Sequence, residues 1–204
     1  LYLAVISYAP GGSGDLNINA GTFVGDGPDW TASTELWINA YQGKTGEIKI
    51  NADTFDAKQV RMINVATSDR AGKLTELESA SYGDVTINAQ DINLEKFVLS
   101  TGTQRVKEKT TIGDVKINAE NEINIGLILI NNWGEGRSGM GGDLDFTAKN
   151  ILSRQDPLKM DPLYYPTIEN TGSVRFIAEE NLELGVMNFV PANSNPSREL
   201  VHEF

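Results

Sequence analysis

No cysteine occurs in the 204 residues, which excludes disulfides and thiolate-held metals. Histidine is almost absent too. The single one, His202, is the third residue from the end of the sequence, so the body of the chain offers no imidazole for acid–base work or for a Ser-His pair. No apolar run approaches the roughly 18 residues that a membrane helix requires, so membrane insertion is not expected. The opening Leu1 to Tyr8 is apolar, but no basic residue precedes it as in a signal peptide. The first residue is not Met, and the expectation is a mature product or internal fragment whose export signal lies upstream. Positive charge is scarce: 17 Lys and Arg against 28 Asp and Glu leave a net charge of −11. Binding to phosphate relies on Lys and Arg, so nucleic acid and anionic lipid are not expected partners. Also missing are capped helical segments of about 10 to 15 residues between strand-like stretches, which argues against a βαβ protein.

What the sequence does have is repetition. With 40% apolar residues it can build a core, and 22% charged residues is ordinary. The phrase Gly-acidic-apolar-x-apolar-x-Ala occurs six times with variations, beginning at Gly14, Gly46, Gly83, Gly113, Gly142 and Gly172. One copy reads Gly83-Asp84-Val85-Thr86-Ile87-Asn88-Ala89; the last two are looser, and Ser173 replaces the acid in the final one. Successive glycines are 32, 37, 30, 29 and 30 residues apart. A near-constant period with variable excess is what a solenoid with surface loops produces.

Within each copy the apolar residues alternate, which argues a strand with one face inward. A second short segment follows each Ala, as in Ile92-Asn93-Leu94, Ile123-Asn124-Ile125 and Leu182-Glu183-Leu184. A third leads on to the next glycine, as in Phe97-Val98-Leu99 and Leu127 to Ile130. Leu1 to Ala9 reads as the third strand of a preceding rung. These observations predict an all-β, right-handed parallel β-helix over residues 1–190, with about six rungs of roughly 30 residues, loop insertions and a tail over 191–204. A β-sandwich is the structural rival, but stacked rungs give the phrase a reason to recur, because one solution then satisfies every level. At about 4.8 Å per rung, six rungs make a short rod. The six alanines, from Ala20 to Ala178, suit one tight corner.

The run Gly83 to Gln90, its siblings and the third segments resemble the haemagglutination-activity repeats of filamentous haemagglutinin-like exoproteins, in their cyanobacterial and environmental form. The stretches Leu129 to Gly142 and Val5 to Gly14 look like that family's Gly-rich third segment. The resemblance covers most of residues 1–190. It implies two-partner secretion to the cell surface or beyond, and a structural role in adhesion, aggregation or matrix. The partners it implies are surface glycans or proteins of a host or neighbouring cell. The family's amino-terminal secretion domain is not visible, and its repeats are usually shorter and more regular than these.

Three stretches depart from the repeat. Between Asp26 and Tyr41, the simple reading is the second and third strands of one rung, while Trp30, Trp37 and Tyr41 could instead form an aromatic platform for carbohydrate. Ser68 to Tyr82, rich in Lys, Glu and Ser, reads as a solvated loop. Asp156 to Pro166 holds three prolines that forbid regular internal strand pairing. Its Tyr164 and Tyr165 make it a candidate contact loop, since recognition concentrates on loops over rigid scaffolds. In the tail, 191–197 is polar and turn-rich and Leu200 to Phe204 is apolar enough to pair with something; the simple reading is disorder, and a strand that pairs with a neighbouring subunit is the alternative.

Register would stack Asp15, Glu47, Asp84, Asp114 and Asp143 into an acidic column. Like charges about 4.8 Å apart repel by about 1 kcal/mol per pair even in water. Calcium, which takes clustered carboxylates, is the candidate compensating ion. The simpler reading has these side chains splay into solvent and accept turn N–H bonds. Lys116, Asp145 and Arg175 alternate in sign and could pair across rungs. The chain is thus expected to be non-enzymatic and to need no cofactor, calcium apart. Two other readings stand beside it: a filament or sheath subunit assembling end to end with copies of itself, and a β-helix polysaccharide lyase or hydrolase.

Overall fold

A computed structural model describes residues 2–7, 12–25, 34–40, 43–66, 77–101, 106–132, 142–153, 167–170, 172–191 and 202–203. The first seven strands are β1 (Tyr2–Ser7), β2 (Leu16–Gly25), β3 (Thr34–Ala40), β4 (Ile48–Ala57), β5 (Val60–Ala66), β6 (Leu77–Ser81) and β7 (Val85–Thr101). The other seven are β8 (Val106–Thr111), β9 (Val115–Asn132), β10 (Leu144–Ser153), β11 (Thr167–Asn170), β12 (Val174–Glu183), β13 (Asn188–Pro191) and β14 (His202–Glu203). Twelve strands join in one sheet, and β6 with β8 forms a separate pair. Among the described residues there is no helix, and every strand pairing is parallel. A sandwich built from hairpins pairs its strands antiparallel, so that rival is set aside. The chain is all-β and winds in parallel, in the manner of a β-solenoid.

The six copies of the phrase lie directly over one another. Leu16 pairs with Ile48, Ile48 with Val85, Val85 with Val115, Val115 with Leu144 and Leu144 with Val174. The second segments continue the same strands, so that Phe23, Phe55, Ile92, Ile123, Ile151 and Leu182 form one column. Shifts of register follow the alanines, between Ala89 and Asp91 and between Ala148 and Asn150, which is the corner the small side chains allow. The third segments stack separately: Leu3, Leu36, Met62, Leu99, Ile130, Ile168 and Phe189 are successive partners. β1 takes the first place in that ladder, as expected of a third strand.

Alternation then makes the core. Ile48, Ile50, Ile87, Ile117, Leu36 and Ile130 are completely buried, and sealing one such aliphatic residue from water stabilises the fold by roughly 1.5–3 kcal/mol. Aromatic rings stack between levels at two places: Phe23 on Phe55 at 4.9 Å and Phe146 on Phe176 at 4.8 Å.

Five of the six phrase glycines, all but Gly14, are fixed by proximity rather than by turn geometry. Among the described residues only Gly12 (φ 93°) and Gly43 (φ 82°) have positive φ. A Cβ on Gly113 would instead lie 2.6 Å from the carbonyl carbon of Gly83, and one on Gly142 would run into the oxygen of Gly113. Levels only one strand spacing apart leave no room for a side chain there.

One expectation is corrected. Residues 77–82, read as the end of a solvated loop, belong to a fourth ladder just ahead of the glycines. β6 pairs with β8, and Ala80 and Tyr82 are buried with Ile112. The Ser13 N–H donates to the Lys44 carbonyl and the Tyr82 N–H to that of Thr111. Its apolar signal is short and interrupted by Ser and Glu, which hides the strand. The tail also pairs within its own polypeptide: β14 lies beside the start of β12, with His202 opposite Val174.

Candidate functional site

The acidic residues do form a column, and its chemistry is that of a backbone cap. The Glu47 N–H donates to Asp15 Oδ1 (2.9 Å), the Asp114 N–H to Asp84 Oδ1 (2.8 Å), the Asp143 N–H to Asp114 Oδ1 (3.1 Å) and the Ser173 N–H to Asp143 Oδ1 (3.1 Å). Four of the five carboxylates thus serve the N–H groups of the level above at a point where strand pairing has not begun, which is a charge-assisted bond. Glu47 is exposed. Among the described residues no group of three or more His, Cys, Asp or Glu side chains is placed to hold a metal ion.

A second outer column was not anticipated from the sequence. Asn51 Nδ2 donates to Asn19 Oδ1, Asn88 to Asn51 and Asn118 to Asn88, at 2.8, 2.9 and 3.0 Å. The signal was present, because the residue before the phrase Ala is Asn in the first four copies. Thr147 and then Ile177 take that place at the last two levels, which ends the ladder. Asn181 donates to Asn150 at the start of the second segment, and Asn93 to Asp56 within it. Beside the main ladder runs an open groove floored by Asn51, Asn88, Asn118 and the alanines next to them, and edged by Asp53, Gln90 and Glu120. An amide of the ladder spends one N–H on the level below and keeps the other for the groove. The groove offers hydrogen bonds to hydroxyl groups and has an acidic rim.

Of the alternating charges, Arg175 forms a two-point pair with Asp145, Nε to Oδ1 at 2.6 Å and a terminal nitrogen to Oδ2 at 2.8 Å, and also reaches Asp143 at 3.3 Å. Lys116 turns to Asp114, at 3.3 Å. On the third ladder's outer face, Arg61 meets Glu35 at 3.6 Å. Nearby, Val60, Arg61, Lys96, Phe97, Leu127 and Leu129 help line an apolar hollow of about 220 Å³.

Of the aromatic contact candidates, Trp37 lies in β3, with Ala4 and Ile63 as its strand neighbours. Trp30, Tyr41, Tyr164 and Tyr165 lie outside the described residues, as does the proline-rich stretch 156–166. Compared with protein-family models, with curated proteins and with solved structures, the chain matches none.

Proposed function

We propose that this protein is a structural and adhesive β-solenoid segment of a secreted or cell-surface fibrous protein, wound as a right-handed parallel β-helix of about six rungs. The observation that carries the reading is the six phrase copies in one register, from Leu16 to Val174. Such stacking makes a stiff rod whose length grows with repeat number, and rigid rods that project loops suit recognition at a distance. The freedom from cysteine, the acidic surface and the resemblance of the phrase to haemagglutinin-type repeats support export and adhesion.

The test is binding. Beads coated with the purified protein are presented to bacterial and epithelial cell surfaces and to a glycan array, and soluble polysaccharides are assayed for shortening. The reading expects saturable binding to at least one surface or glycan class with no depolymerisation. Absence of binding throughout would overturn the adhesive role. Shortening of an acidic or neutral polysaccharide would make the protein a lyase or hydrolase.

A further inference from the structure

We propose that the hollow on the outer face of the third ladder binds a small amphiphilic anion, an apolar body carrying one carboxylate. The inference goes beyond the adhesive reading and stands whether or not the rod adheres.

The first observation is a break in the outward pattern. Val60, Phe97 and Ile128 are successive strand partners and are buried. Alternation then turns Arg61, Val98 and Leu129, the next residues at the same three levels, outward. Their column carries Glu35 below, and Thr167 and Asn188 above. Two apolar residues therefore stand in the middle of a polar column. Leu127, the strand partner of Lys96, adds a third. Val98, Leu127 and Leu129 are half-buried, and they line the hollow of about 220 Å³. These levels lie inside the stack, with β3 paired on one side of them and β11 on the other.

Size limits the occupant. A dry apolar cavity of about 150 Å³ is enough to take up benzene, so this hollow suits a single ring or a short alkyl chain.

Charge is the second observation. The protein carries a net charge of −11, yet the charged side chains that edge this hollow are Arg61 and Lys96. Arg61 has Glu35 at 3.6 Å. Half-buried Lys96 has no ion pair among the described residues. An ammonium beside apolar surface is partly stripped of water, and a carboxylate that reaches it offsets that cost. The apolar wall holds the body of the ligand and Lys96 holds its head. A neutral analogue keeps only the first contact, and a cationic one is repelled.

The test titrates the full-length protein with octanoate, octanol and octylammonium in a calorimeter. Octanoate is expected to bind saturably at one site, about tenfold tighter than octanol, as one charge-assisted bond allows, and octylammonium not at all. Lys96→Glu, at the rim, is expected to abolish octanoate binding and admit octylammonium. Leu129→Asp is expected to abolish octanoate binding with the melting temperature unchanged. The proposal is overturned if octanoate does not saturate, binds no tighter than octanol, or binds Lys96→Glu as well as the unaltered protein. Melting and sedimentation of the same samples identify other occupants. A lower melting temperature in Leu129→Asp, with no octanoate bound by the unaltered protein, would assign the hollow to the protein's own packing. A dimer of the unaltered protein that Leu129→Asp breaks would assign it to a second copy, and either result contradicts a ligand site.

Discussion

The side-chain amide of Asn118 donates to Asn88 at 3.0 Å across 30 residues of sequence. Asn88 is half-buried and itself donates to Asn51, so it is bonded on both sides. Asn88→Ala therefore removes two bonds and is expected to cost about 1–3 kcal/mol. Asn19, exposed at the start of the ladder, loses only one bond on substitution, so Asn19→Ala is expected to cost less. Denaturant unfolding of the two variants checks the order.

The glycines make a sharper contrast. Gly142→Ala forces a Cβ against the backbone of Gly113, and separating two levels should cost about 1–3 kcal/mol or more. Gly14→Ala has open space and should leave the melting temperature of the monomer unchanged. Equal losses at the two positions would mean that turn conformation, and not stacking, fixes these residues.

Much of this architecture was legible because a solenoid solves one problem repeatedly. Val85, Ile87 and Ala89 recur in sequence since their neighbours in space are Val115, Ile117 and Ala119, so periodicity reports register directly. The reason for the glycines was not legible, because a one-dimensional pattern does not distinguish a left-handed turn from a close approach. The Asn ladder was also missed. Alternation marks Asn88 as outward, and only the register reveals that its outward neighbour is another amide. The fourth ladder was hidden because Ala80 and Tyr82 carry its inward face with little apolar context. Of the aromatic contact candidates, Trp37 belongs to the third ladder, while Trp30, Tyr41, Tyr164 and Tyr165 lie outside the described residues.

Core substitutions should show where the column is sealed. Phe55 is completely buried between Phe23 and Phe97, so Phe55→Ala is expected to cost about 3–5 kcal/mol. Leu16→Ala, at the partly exposed end, should cost clearly less than Ile48→Ala one level up. Thermal melts of the three proteins decide it.

Calcium should do little. Four of the five column carboxylates already hold a backbone N–H, and filling the column with cations would compete with those bonds. Excess calcium is expected to give no saturable heat in calorimetry and no rise in melting temperature. A stoichiometric isotherm together with such a rise would assign the column to the metal.

The vertical stack of phrases can be measured directly in solution, because a protein without cysteine accepts spin labels only where they are introduced. Asn17, Lys49, Thr86, Lys116, Asp145 and Arg175 occupy the same outward place at six successive levels. With labels at Asn17 and Asp145 the backbone separation should be about 19 Å, and with labels at Asn17 and Arg175 about 24 Å, one strand spacing more. That increment is the predicted result. Separations that do not lengthen from the first pair to the second, or that bear no relation to level number, would contradict the solenoid and the rod-like role built on it.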